Sequence, residues 1–467
     1  MAATHTGRRI TTDMTQGAII PLIVRFSMPL LAGNLFQQLY NTVDCVIVGN
    51  YVGKEALAAI GSTGFLINAL IGFFMGLSAG GAVVISQYFG AKDYGRVGRT
   101  VHTMLAGSLI AGVSLIAFGH FASPVMLRLM ATPDDVFGMA DSYLRIYFAG
   151  SLFQLVYNVA AGILRALGDS RRPLYFLIAS SLINVVLDFV LVLGLGMGIE
   201  GAAYATVISQ AVAMVLVLLV MLRTGECYRL VPARLRIDGP CLARVLRQGL
   251  PGGIQMSITA FSNVFVMSYI NRFGSSFMAG WACFGKIDQF SMLSLQSISL
   301  AVTTFAGQNY GALRLDRIKK GSAVSRGLAL SFGIVTILAF EFCPRFLVSL
   351  FNRDEEVLFY GVCFLRAGAP FYVFRCLTMV FSGALRGLGN AMAPTVVMLS
   401  SFVAFRQLYL FVITRLTASY VPMLFAYPAG WGLCGILMAV AYLAFTRSRG
   451  FTGHFAGQAG GDSGKTA

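Results

Sequence analysis

Asn184-Val185-Val186-Leu187-Asp188 sits in the middle of an apolar segment that runs from Leu174 to Gly198. Asp188 is the only acidic or basic residue in it. A carboxylate at the centre of a bilayer costs about 3 kcal/mol by insertion measurements, so it survives only where it faces a polar interior, and an ion or proton site is the default reading. Asn184 lies four residues earlier, on the same helix face. Ser180 and Ser181 carry that face a further turn. One polar stripe therefore runs along an otherwise greasy helix.

The whole chain reads as membrane-spanning. Its 467 residues are 57% hydrophobic and 12% charged, against about 25% charge in soluble domains. Ala56 to Ala91 holds no charged residue, which exceeds the roughly 20 residues a spanning helix needs. Twelve apolar segments are expected, near 24–50, 56–82, 101–121, 139–164, 174–198, 201–222, 250–271, 277–304, 322–343, 359–385, 395–414 and 421–446. The formal charge of +16 does not point to nucleic acid, because the basic residues occupy short loops between apolar segments. With the N-terminus placed inside the cell, inner regions hold 24 Lys and Arg and outer loops 6. That excess puts both termini in the cytoplasm of a multi-pass protein of the plasma (inner) membrane. The cysteines have neither metal-ligand nor disulfide spacing and read as small hydrophobes.

An internal repeat recurs at an offset of 221. Gly53, Gln87, Gly90-Ala91 and Arg96 return as Gly274, Gln308, Gly311-Ala312 and Arg317. Gly162, Leu164, Arg165, Gly168 and Pro173 return as Gly383, Leu385, Arg386, Gly389 and Pro394. Each half has six helices, so the repeats are parallel, as in two-lobed secondary transporters. The fold class expected is an all-α membrane protein of twelve transmembrane helices in two parallel-repeat six-helix lobes. The expected organisation is a cytoplasmic tail (1–20), an N-lobe (21–222), an inter-lobe linker (223–248), a C-lobe (249–447) and a disordered C-terminal tail (448–467). Gly72, Gly76 and Gly80 recur every four residues, a ridge that admits close helix packing.

Asp44 is the second candidate carboxylate. Gln37, Asn41 and Asp44 share a face of the first helix, with Tyr40 beside them. Pro29 and Pro173 read as helix starts, and each acid lies 15 residues beyond one of them. At about 1.5 Å per residue both stand roughly 22 Å up, able to share a proton or a cation. Gln154 and Asn158, and Thr206 with Ser209 or Gln210, are further oxygen donors, of the kind that suits Na⁺; Asp44, Asn184 and Asp188 are its expected core. The second half differs. Lys286 and Asp288 lie in the eighth helix and Arg375 in the tenth, and Arg375 or Arg406 could answer Asp288. They form either a buried charge network or a substrate or gating site. No HExxH, GxSxG or Rossmann fingerprint occurs, so neither enzyme activity nor a cofactor is expected. An ion gradient is the expected energy source.

Several stretches resemble the multidrug and toxin extrusion (MATE) transporters: Gln37 through Asp44 to Gly49, Ala56 to Gly61, Gln87 to Ala91, Arg165 to Gly168, and Asn184 to Asp188 followed by Gly198 to Thr206. The resemblance implies a V-shaped, two-lobed, monomeric antiporter that exports organic cations in exchange for Na⁺ or H⁺. It also implies a coupling site in the first lobe at Asp44, Asn158, Asn184, Asp188 and Thr206. Another branch of the family places acids in helices seven and ten; here those helices offer Gln255, Thr259, Asn263 and Arg375 instead. The expected partners are small organic molecules and membrane lipids. The other reading is a flippase for a lipid-linked or anionic substrate that uses the basic C-lobe residues.

Overall fold

A computed structural model of the chain describes residues 12–130, 132–417 and 419–448. Every one of the twelve expected segments is helical. The first six are α1 Ile19–Val52, α2 Lys54–Gly90, α3 Tyr94–Leu129, α4 Asp134–Ala166, α5 Arg171–Gly194 and α6 Gly198–Arg223. The second six are α7 Gly239–Ile270, α8 Ser275–Gly311, α9 Leu315–Phe342, α10 Glu355–Gly387, α11 Met392–Leu416 and α12 Ala426–Arg447. Among the described residues, eleven helices are long and apolar enough to cross a membrane. The remaining one, α7, is 32 residues long. It is less apolar because its first turns carry Arg244 and Arg247 and its middle carries Gln255, Ser257, Thr259, Ser262 and Asn263.

The helices outrun their apolar cores, because charged and polar residues at their ends continue the helix into the interface. This corrects the reading of Pro29. It lies inside α1, ten residues after the helix begins at Ile19, and marks no start. Pro173 is the third residue of α5 and does mark one.

Three stretches are wound more loosely than an α-helix: Val48–Val52 ends α1, Phe189–Gly194 ends α5 and Ser400–Phe405 interrupts α11. Such π-helical turns release carbonyl groups from the regular ladder. Sequence periodicity gives no sign of them.

The repeat is written into the backbone. Among the described residues, six positive-φ positions fall into three pairs at the offset of 221: Gly53 and Gly274 (φ 125° and 90°), Lys92 and Leu313 (58° and 57°), and Gly168 and Gly389 (87° and 84°). The turns close alike. The Asp93 amide donates to the Tyr88 carbonyl at 2.9 Å and the Arg314 amide to that of Asn309 at 2.9 Å. Lys92 and Leu313 hold this left-handed conformation without being glycine, at a cost of about 1 kcal/mol each.

The chain divides into two compact units. Among the described residues, one comprises 12–63 and 81–244, the other 64–80 and 245–448. In the first, α4 packs on α3 and α6, and α5 packs on α1 and α6. The segment that follows α6 is tied to this unit. His102 takes the Val231 amide on Nε2 at 3.1 Å, Thr103 Oγ1 takes the Asp238 amide at 3.1 Å, and Arg172 donates to the Tyr228 hydroxyl at 2.9 Å. Asp238 then starts α7 by accepting the Cys241 amide at 3.0 Å, and that bond holds its carboxyl below the ordinary range. The helix therefore resumes at Gly239, inside the stretch expected as linker.

The N-terminal segment also differs from the polar tail expected over 1–20. Met14 is wholly buried, and the Thr12 carbonyl lies 2.1 Å from where a Cβ on Gly168 would stand. Gly168 thus needs its hydrogen twice over, for its φ and for this approach. The expected disordered tail after residue 448 lies outside the described residues.

In the second unit α10 is central, packed on α8, α9 and α12. Aromatic residues dominate its core, with Phe277, Phe284, Phe364, Tyr372, Phe381 and Trp431 buried together. The glycine ridge of α2 packs here against a second ridge on α7. A Cβ on Gly76 would stand 2.3 Å from the Gly253 nitrogen, and one on Gly80 2.2 Å from that of Gly249. Two backbones therefore touch with no side chain between them. Gly76→Leu is expected to lower stability by about 1–3 kcal/mol through overpacking. Gly107→Ala, at a helical position with nothing within 4 Å, should leave it unchanged or raise it. Thermal unfolding of the purified protein followed by size exclusion distinguishes the two outcomes.

Candidate functional site

The packing of α1 on α5 brings Asp44 and Asp188 face to face, their carboxyls within hydrogen-bonding reach of one another. Asp44 stands one turn before the π-helical end of α1, and Asp188 immediately before that of α5. Asp188 is fully buried and Asn184 nearly so; Asp44 is half-buried. Both oxygens of Asp188, Oδ1 of Asp44, both polar atoms of the Asn184 amide and the Ser181 hydroxyl are buried without a hydrogen-bond partner. Two ionised carboxylates cannot donate to each other. This row is therefore complete only with something positive or protic between the acids.

Ser180 behaves differently. Its hydroxyl donates to the Ser209 carbonyl at 2.9 Å and ties α5 to α6. The Thr206 hydroxyl, expected as a ligand, donates to the Ala202 carbonyl of its own helix at 3.1 Å. Asn158 is half-buried on α4, one turn beyond Gln154. Tyr40 lies beside Gln37, Asp44, Tyr147 and Tyr157; Asn41 is exposed. Sequence reasoning missed the tyrosines of α4. Tyr143 stands near Asp44, Cys45 and Tyr40, and the Tyr147 hydroxyl reaches Gln154 Oε1 at 3.4 Å. Their spacing of four residues was the available signal, but a Tyr pair on an apolar helix reads equally as core.

The donor set of carboxylate, carboxamide and hydroxyl oxygens fits a hard cation or a proton. Among the described residues no group of three or more His, Cys, Asp or Glu gathers anywhere.

In the second lobe Asp288 is answered by Arg375, Nη1 to Oδ1 at 2.6 Å, and by the Tyr372 hydroxyl at 2.5 Å. Arg375 also lies 4.2 Å from the centre of the Trp431 ring. Of the two arginines that could have met Asp288, Arg406 is elsewhere and contacts Ser262 and Asn263. Gln255 accepts from Arg386 at 3.2 Å. Lys286 is exposed.

A duplicated bundle of membrane-length helices with buried, unsatisfied carboxylates defines a multi-pass membrane transporter. The comparisons with known proteins narrow the class. The MatE family model matches residues 29–190 and again 251–409, one match per repeat, and the chain belongs to that family. It is 32% identical over 432 residues to the probable multidrug resistance protein YoeA of Bacillus subtilis (strain 168), covering 90% of this chain and 92% of that protein. It is 30% identical over 392 residues to the probable multidrug resistance protein YpnP of the same strain, covering 84% and 87%. In fold it is similar to a MATE crystallised in complex with MaL6, with a TM-score of 0.87 and 22% identity over 95% of this chain and all of the other. The family is one of transporters, and the chain is not an enzyme. The twelve helices form the family's two lobes.

Because no protein group satisfies the Asn184 amide, Asn184→Leu should be neutral or stabilising by about 1 kcal/mol, whereas Ser180→Ala should cost about 1 kcal/mol for its lost hydrogen bond. Thermal melts of the two variants beside the unaltered protein test this opposite sign.

Proposed function

We propose that the chain is a secondary active antiporter that exports small organic molecules in exchange for Na⁺ or H⁺ bound between Asp44 and Asp188. The carrying observation is the buried acid pair, faced by the partnerless Asn184 amide and Ser181 hydroxyl. Burying two like charges in contact is strongly unfavourable. One proton shared between the carboxyls, or one Na⁺ held by them and the Asn184 carbonyl oxygen, removes that cost. Binding the ion therefore changes the local energy by several kcal/mol, the scale needed to bias a conformational equilibrium. Asn158 and Thr206 are secondary in this reading, since the Thr206 hydroxyl already has a partner in its own helix. Tyr40 and Tyr143 stand near Asp44.

The multidrug-resistance names of the two Bacillus relatives support drug-like exported molecules. The chain acts in the cytoplasmic membrane with both termini inside, a reading supported by the concentration of Lys and Arg in alternate loops.

Proteoliposomes test the assignment. A Na⁺ or a pH gradient imposed separately should drive efflux of a fluorescent organic solute, and one of the two gradients should suffice. Asp188→Asn keeps the shape and removes the charge. It should fold, bind solute and lose at least about tenfold of the gradient-driven rate, a loss of about 1.4 kcal/mol in coupling. Full gradient-driven efflux by Asp188→Asn would overturn the site.

A further inference from the structure

The C-lobe holds a cluster of the opposite sign that the acid pair does not explain. Arg406 lies within α11 and is 3% exposed. Its Nη2 donates to Ser262 Oγ at 3.0 Å and to Asn263 Oδ1 at 2.8 Å, both on α7. Its guanidinium stands 4.6 Å from the centre of the Tyr427 ring. Each of these neighbours is neutral. Nε is buried with no hydrogen-bond partner. Among the described residues no carboxylate pairs with Arg406, and Asp288 is taken by Arg375 and Tyr372. A guanidinium enclosed at membrane depth without a counter-charge is costly and marks a functional position. Arg also presents its donors as a planar fork that matches a carboxylate or a similar oxyanion.

Further aromatic residues gather behind the Tyr427 ring. Tyr427 packs on Arg406 and is also close enough to the Asp288–Arg375 pair to feel its charges. Trp281 packs at a tilt on Tyr427 with centroids 4.6 Å apart, and Trp431 stands 6.5 Å from Tyr427. The chain has only 2 tryptophans, and both are here. Asn263, which holds the guanidinium, is itself exposed. Lys286, exposed on α8, adds a second positive charge to the same lobe.

We infer that Arg406, Asn263 and the Trp281–Tyr427–Trp431 wall form a binding site for an organic anion, an oxyanion such as a carboxylate or sulfonate carried on an aromatic body. The inference rests on the transport reading for its consequence, which is that exported molecules include ones bearing an anionic group. Binding itself needs no gradient, so its failure and the failure of antiport are seen in separate experiments.

The two tryptophans make the site its own reporter. In detergent micelles, quenching of their fluorescence is titrated with 4-bromobenzoate and with 4-bromobenzamide, which share a heavy-atom ring and differ in charge. The acid should bind the unaltered protein at least about tenfold more tightly than the amide, as one charge-assisted contact predicts. Arg406→Gln should bring the two to parity, and Arg406→Lys, which keeps the charge without the fork, should leave a reduced preference. Equal binding of acid and amide to the unaltered protein overturns the inference with no variant needed. Unchanged preference in either folded variant overturns it too. Displacement of the acid by one equivalent of phosphatidylglycerol would show the oxyanion to be a lipid headgroup and overturn the assignment to small aromatic anions.

Discussion

A polar group at membrane depth has only the protein to bond with, and this constraint organises the molecule. Many of its buried hydroxyls meet it locally, by donating to a carbonyl three or four residues back in their own helix, as Thr63, Ser86, Ser108 and Ser297 do. Charged groups meet it through a counter-charge, as Asp288 and Arg375 do, or through a neutral acceptor, as Arg386 does with Gln255. Among the buried groups left without a hydrogen-bond partner are the Asp44–Asp188 row in the N-lobe and the Arg406 Nε in the C-lobe. One lacks a positive or protic partner and the other a negative one. The remainder of the fold can be understood as the scaffold that keeps those two deficits in place.

Much of that scaffold was legible in the sequence because its signals are strong and local. Twelve apolar stretches each exceed the thickness of a bilayer, and the charge bias of the loops gives an orientation. The repeat at 221 residues could be read from glycines and prolines because backbone geometry, not packing, constrains those types. The paired left-handed positions at Gly53 and Gly274 and at Gly168 and Gly389 show that constraint directly. Lys92 and Leu313 share the same conformation with no residue type in common, so no sequence signal could have marked them. The helix ends, the π-helical turns and the burial of Met14 were not legible either. Each depends on what another segment does, as the burial of Met14 and the approach of the Thr12 carbonyl to Gly168 show.

The acids of the candidate site were legible because carboxylates in a greasy helix are costly wherever they point. The expectation of equal depth rested partly on Pro29, which is not a helix start; the contact between Asp44 and Asp188 arises instead from α1 packing along α5. Thr206 illustrates the limit of side-chain chemistry alone, since a threonine offers a ligand oxygen or satisfies its own helix, and here it does the second. The tyrosines of α4 could not be separated from core. Nor could spacing decide which arginine meets Asp288, because Arg375 and Arg406 lie on different helices and only tertiary packing chooses between them.

The matching turns of the two repeats carry a consequence for descent. Since the hinges at Gly90 to Asp93 and at Gly311 to Arg314 close by the same hydrogen bonds, the frame is indifferent to what lines each lobe. A duplicated ancestor could let one copy drift acidic and the other basic without disturbing a single joint. The sign of charge accepted by either half is then among the cheapest traits for such a lineage to change, a matter of one or two interior substitutions and no refolding.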